Sequence, residues 1–267
     1  MPEGQVSHRN AIRFTAALAG QEILRVDVTE RLVPQRLPER LVGDRVRTAE
    51  AVGKHHLLRF ESGRTLYSHL MMSGVWRLVA AGRPIPARGR WLALVTDQWT
   101  AVQYNGPVIR LVEPGAPIPE IERLGPDLLA DDVDPGPAMR SALLRAEPTR
   151  AIGDALMDQR LTSGIGNVYK SETCFLAGID PWRTVGTLTP EEATSLGEIG
   201  SRLLADGVRQ AGRIQTYRPP GGRPFSKEDK WVYGRRGRPC RRCGTPIRSR
   251  GQGDANRTTY WCPGCQA

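Results

Sequence analysis

Three groups of residues have types and spacings that can do chemistry. Cys240, Cys243, Cys262 and Cys265 form two C-x2-C pairs separated by eighteen residues. Each pair can sit on a tight turn, and four thiolates can close a tetrahedron around Zn²⁺. The segment RTTYW (257–261) favours a β-strand, so a metal-stapled hairpin is expected. Such a metal is structural, because four sulfur ligands leave no open position for water. A redox-active thiol pair is the alternative, but one such pair would not need the second. Lys227, Lys230 and eight arginines between 235 and 257 surround the module, with few acids nearby, which suits phosphate contacts.

The second group is Pro2-Glu3-Gly4. Methionine is normally removed before a small residue, and that would expose the secondary amine of Pro2. An α-amine titrates near 7.7–8.0 against about 10.4 for lysine, so roughly a tenth is free base at pH 7. The start of the following helix lowers its pKa further. Such an amine can attack an electrophilic sugar carbon and form a Schiff base, with Glu3 beside it to move protons. With Met1 retained, the same nitrogen is a non-nucleophilic amide. Pro-Glu is also an ordinary way to begin a helix. The third group is QRLTSGIGN (159–167), where two glycines permit a tight turn and the next helix offers amides to an anion such as a phosphate. Read alone, such a two-glycine turn is usually only a turn.

These groups need elements to hold them. The chain has 267 residues, natural for two or three modules, and a net charge of +10 that favours a polyanionic partner, nucleic acid first. No apolar run approaches the ~20 residues of a membrane helix, and no basic-then-apolar leader is seen, so a cytoplasmic location is expected. The fifth cysteine, Cys174, lies in an apolar helix pattern and reads as buried, so a secreted disulfide scaffold is excluded. Residues 4–19 read as a helix. Six short strand patterns follow, at 23–28, 56–60, 65–70, 74–79, 91–96 and 100–105, with turns at Ser62-Gly63 and Asp97-Gln98. Pro, Gly and Asp crowd 113–137, which places a boundary near 133. Helices are expected at about 138–146, 151–159 and 167–177, then from Thr189-Pro190 to about Gly212. A Pro/Gly/Arg loop at 213–225, expected to be mobile, leads to the cysteine module.

In order along the chain stand MPEG, VGKHHLL (52–58), LYSHLMMSGVWRL (66–78), DQRLTSGIGNVYKSE (158–172) and VYGRRGRPCRRCGTPI with RTTYWCPGCQ (232–266). With these the chain resembles the formamidopyrimidine-DNA glycosylase/endonuclease VIII family over its whole length. The resemblance implies an α+β protein. An N-terminal β-sandwich with a leading helix spans 1–133, a helix–two-turn–helix DNA-binding domain 134–225, and a β-hairpin zinc finger 226–267. It implies a bifunctional glycosylase and abasic-site lyase of base excision repair, working by β,δ-elimination. Its partner would be double-stranded DNA containing damaged bases or abasic sites. The resemblance also implies a monomer at the bacterial nucleoid.

By resemblance, Pro2 is the Schiff-base nucleophile and Glu3 the acid that protonates the deoxyribose ring oxygen. Lys54 contacts phosphate and assists β-elimination. Arg257 grips phosphates at the lesion and serves δ-elimination. Asn167 belongs to the helix–two-turn–helix phosphate site, and Arg123 is a further DNA contact. Met72 matches the residue that fills the void left by a flipped base. Met71 stands where endonuclease VIII has a polar residue. The segment NGPVIRL (105–111) lacks the Arg–Arg–Phe probe of the formamidopyrimidine branch, which leans the reading to endonuclease VIII and oxidised pyrimidines. Oxidised-purine excision is the alternative, and a non-catalytic zinc-finger DNA-binding protein the competing class. His55, His56 and His69, in strand patterns, read as structural or rim residues, and His8, in the first helix, could approach the site.

Overall fold

The computed structural model describes residues 2–221 and 229–266. Met1, Lys227 and the end of the Pro/Gly/Arg loop lie outside the described residues. The chain divides into two compact units, one of Pro2 with Val6–Glu122 and one of Glu3–Gln5 with Arg123–Ala267.

The first unit contains most of α1 (Gly4–Leu18), then β1 (Arg25–Val28), a 3-10 turn (Glu30–Gln35), α2 (Leu37–Leu41), β2 (Val46–Val52), β3 (His55–Phe60), β4 (Thr65–His69), β5 (Val75–Ala80), β6 (Arg90–Val95), β7 (Trp99–Tyr104), β8 (Val108–Val112) and α3 (Pro119–Glu122). Two four-stranded antiparallel sheets form, ordered β1-β6-β7-β5 and β2-β3-β4-β8. Val26, Trp76, Leu92 and Leu94 of one sheet share a core with Leu58, Phe60, Leu66 and Leu111 of the other. Phe14 and Leu18 bring the leading helix onto it, and the Phe14 ring meets Trp76 edge-on at 5.3 Å. This is the expected sandwich.

Strands β2 and β8 carry no sequence signal. Strand β2 is an edge strand of mixed composition, VRTAEAV, half-buried along most of its length. Strand β8 follows an Asn-Gly-Pro turn and holds Arg110 at its centre.

The second unit holds α4 (Pro135–Leu144), α5 (Ile152–Ala155), α6 (Asn167–Ala177), a 3-10 turn (Val185–Thr187), α7 (Pro190–Arg209), β9 (Arg248–Gln252) and β10 (Arg257–Trp261). Helix α7 starts as its sequence specifies. The Thr189 hydroxyl accepts the Glu192 N–H at 3.2 Å, and the Glu192 carboxylate accepts the Thr189 N–H at 2.9 Å. The pattern expected to be helical over 151–159 is helical only over its first turn. The Asp158 carboxylate accepts the Arg160 N–H at 3.0 Å, and the Gln159 amide donates to the Met157 and Ile165 carbonyls, drawing the chain into turns.

The chain enters the second unit at Arg123, ten residues ahead of the compositional break. Gly125 N–H donates to the Gln159 carbonyl at 2.9 Å, Ser163 N–H to the Pro126 carbonyl at 2.9 Å, and Leu128 is buried in the helical core. The Pro/Gly/Asp composition marks the start of α4 instead. Among the described residues no helix is long and apolar enough to cross a membrane.

Candidate functional site

Helix α6 organises the second unit, and it breaks the rule of one apolar stripe. Asn167, Lys170, Ser171, Glu172 and Thr173 are all at most 5% exposed. Helix α6 packs on α7 and on β10, so polar side chains on it face protein and must find partners there.

At its N-terminus the partner is Glu3. The Glu3 carboxylate accepts N–H donors from Gly166 at 2.9 Å, Val168 at 2.8 Å and Tyr169 at 3.3 Å. Its side chain is fully buried. Gly166 makes the room: a Cβ there would lie 2.3 Å from Glu3 Cδ. Gly164, at φ +107°, turns the chain so that its carbonyl accepts the Gly4 N–H at 2.9 Å. The amides expected to offer themselves to a phosphate are therefore taken by an internal carboxylate. The sequence correctly marks an anion site at the start of α6, and the anion belongs to the chain itself.

The second buried carboxylate, Glu172, went unread in the sequence. It accepts N–H donors from Trp231, Val232 and Tyr233 at 2.8–2.9 Å and the Thr216 hydroxyl. It thereby ties the segment before the cysteines to α6. Asn167 Nδ2 donates to the Thr258 carbonyl at 3.0 Å, while its Oδ1 is buried without a partner. Arg257 opens β10 and shares a cavity of about 310 Å³ with Arg150, Asp154, Asp158 and Lys170. Burial pulls the Lys170 ammonium down to about 8. A lysine inside a helix pattern reads as solvated, which is why Lys170 escaped notice. Arg123 is exposed.

The four cysteines converge. Their sulfurs lie within 4.8 Å of one another, with Cys240–Cys265 at 3.8 Å, Cys243–Cys262 at 3.4 Å and Cys243–Cys265 at 3.3 Å. No pair is bonded. A disulfide needs about 2.05 Å; a tetrahedron with ~2.3 Å metal–sulfur bonds has edges of about 3.8 Å. The donor set therefore fits a tetrahedral thiophilic metal. Strands β9 and β10 pair antiparallel beneath it, from Arg257 opposite Gln252 to Trp261 opposite Arg248. Cys174 is buried in α6, as expected.

In the first unit Pro2 is half-buried just before α1. Lys54 sits on the turn from β2 to β3, next to Gly53 at φ +57°. The histidines of β3 and β4 adjoin it. His55 Nδ1 lies 2.9 Å from the Tyr67 hydroxyl, and His56 Nε2 accepts from Asn10 Nδ2 at 3.2 Å. Burial and neighbouring cationic groups hold His55 down to about 4 and His56 down to about 3. Met71 and Met72 cap the turn after β4, 49% and 55% exposed, the profile of side chains offered to something outside the fold.

Two family descriptions match: "Formamidopyrimidine-DNA glycosylase N-terminal domain" over residues 1–110 and "Formamidopyrimidine-DNA glycosylase H2TH domain" over 124–218. A Streptomyces coelicolor protein named "Probable endonuclease 8 2" is 43% identical, covering all of this chain and 94% of that one. A Mycolicibacterium smegmatis protein named "DNA-(apurinic or apyrimidinic site) lyase Nei2" is 36% identical over 100% and 99%. Among solved structures, the MutM (Fpg) protein of Thermus thermophilus superposes with a TM-score of 0.78 at 30% identity, over 99% and 98% of the two chains. The chain belongs to the formamidopyrimidine-DNA glycosylase/endonuclease VIII family.

Proposed function

We propose that this protein is a bifunctional DNA glycosylase and abasic-site lyase of base excision repair that uses the amine of Pro2. The observation that carries the reading is the anchoring of Glu3, because three N–H donors fix the residue that follows the nucleophile. The family relatives named endonuclease 8 and lyase support the activity. With Met1 removed, the Pro2 nitrogen attacks C1′ of the damaged nucleotide and the base leaves with a proton; the C1′–O4′ bond then breaks onto a ring oxygen protonated through Glu3, which opens the sugar and leaves the iminium. Loss of a C2′ proton then expels the 3′ phosphate, and a second elimination expels the 5′ phosphate. Glu3 is assigned to the ring oxygen, Lys54 and Arg257 to the phosphates and the two eliminations, and Asn167 and Arg123 to backbone contacts. Three of the roughly four carboxylate lone-pair sites of Glu3 take N–H donors, so it acts from a fixed position.

Cys240, Cys243, Cys262 and Cys265 are assigned to a structural Zn²⁺, supported by their separations. When bound, the ion supplies folding free energy to the hairpin that carries Arg257 and takes no part in the reaction. The division of labour proposed is excision by the N-terminal sandwich domain, DNA grip by the helical domain and phosphate grip by the zinc finger. Duplex DNA with damaged bases or abasic sites is the partner, the protein acting as a cytoplasmic, nucleoid-associated monomer.

Oxidised pyrimidines are the proposed lesions. NGPVIRL lacks the opposite-strand probe, and the relative of highest identity among those described is named an endonuclease 8. The test is release and nicking on matched duplexes carrying an oxidised pyrimidine, 8-oxoguanine or an abasic site. The expected order is abasic site and pyrimidine well ahead of 8-oxoguanine. Preference for 8-oxoguanine would move the chain to the other branch, and no nicking of any substrate would remove the enzyme reading.

A further inference from the structure

The turn after β4 is built with unusual care. Gly74 N–H closes it on the Leu70 carbonyl at 2.8 Å, and a Cβ at Gly74 would lie 2.5 Å from that oxygen. Leu70 is buried while Met71 and Met72 project. Met71 takes φ +51°, a conformation that L side chains rarely adopt. Its N–H is held by His69 Nδ1 at 3.0 Å. The His69 ring is itself held. It lies 4.7 Å from the ring of His55, which stacks on Tyr67 at 5.7 Å. Arg110 covers Tyr67 at 5.0 Å and pairs with Glu120 of α3 at 2.8 Å.

We infer that His69 is a positioning residue: neutral at Nδ1, it accepts the Met71 amide and keeps the methionine turn in its projecting form. This rests on the reading of Met72 as the residue that fills the void in the duplex. Accepting at Nδ1 places the proton on Nε2. The groups facing His69 are Lys54 on the β2–β3 turn and His55 and His56 on β3, all able to be cationic, with Glu120 acting on His55. Burial, then the Lys54 charge, lowers the His69 pKa below 6.5. Protonation at Nδ1 would replace the acceptor by a donor facing the Met71 N–H, so the hold is present above that lowered pKa and lost as pH falls through it.

Three substitutions test this. His69→Asn keeps an acceptor near Nδ1, His69→Gln puts its amide near Nε2, and His69→Leu removes both. Opening of a lesion duplex is read with 2-aminopurine beside the lesion, nicking with a single-stranded abasic site, and the bond itself by exchange of the Met71 amide. Expected are a fall of at least tenfold in the duplex-to-single-strand ratio for His69→Leu, recovery to within threefold for His69→Asn, and no recovery for His69→Gln. Protection of the Met71 amide, its exchange measured against the intrinsic rate at the same pH, should fall in His69→Leu and, in the wild type, below the His69 pKa. Rescue by Gln instead of Asn would overturn the proposal in favour of a contact through Nε2. Unchanged Met71 exchange in His69→Leu would overturn it whatever the activity. Met72→Ala separates the two readings. If it abolishes opening while His69→Leu opens normally, only the positioning role fails; if Met72→Ala opens normally, the void-filling reading fails and takes this one with it.

Discussion

The two units hold their candidate residues by different physics. In the first, an apolar core of two sheets and a helix fixes the backbone, Lys54 and Met72 ride on turns at the strand ends, and His69 closes β4. The second has an apolar core of its own, and buried polar side chains on and against α6 add to the fixing. Glu3 and Glu172 each take three backbone N–H donors, one at the start of α6 and one from its side. An apolar core tolerates repacking at a cost graded by volume. A buried carboxylate with several donors tolerates almost nothing, since every donor left behind is desolvated and unpaired.

Substitutions sharpen that contrast. The largest loss of stability is expected for Phe14→Ala, about 3–5 kcal/mol from a cavity beside Trp76; Phe14→Leu should recover most of it in denaturant melts. Glu172→Ala should cost about 3 kcal/mol or more by stranding the three amides of 231–233. Glu172→Gln should recover little, because one acceptor oxygen replaces two. Metal release to a chromogenic chelator should be faster in both variants. Recovery by Gln equal to that by Leu at position 14 would erase the contrast. Gly166→Ala comes next, at about 1–3 kcal/mol, because the new Cβ collides with Glu3. Its effect on lesion release should exceed its effect on stability, seen as a rate loss at temperatures where the variant is fully folded.

The smallest effect concerns acid. The Arg160 and Arg150 guanidiniums hold the Asp158 carboxyl well below the usual carboxylate range. Its folded pKa is depressed, so its contribution is present above an unfolded value of ~3.9 and is lost as pH falls below it. Asp158→Asn should lower stability at pH 7 and flatten the acid limb between about pH 4 and 2. An unchanged limb would show that these ion pairs do not stabilise the turn after α5.

What the sequence made legible follows the same division. Strand alternation, the capping box at Thr189 and the cysteine spacing are local signals, and the sandwich, α7 and the hairpin appear where they point. Strands β2 and β8 were silent because an edge strand and a strand holding a central arginine lack alternation. The anion site at GIGN was legible, but its occupant was not, because Glu3 lies more than 160 residues away in sequence. Lys170 and Glu172 looked solvated because helix periodicity cannot show that both faces of α6 are covered.

The most direct test of the account is borohydride trapping on an abasic-site duplex, followed by peptide mapping of the adduct. Protein with a free N-terminal proline should carry the reduced sugar on the Pro2 nitrogen, and protein retaining Met1 should carry none. An adduct on Lys54, or one that persists with Met1 in place, would contradict the assignment of Pro2 as the nucleophile.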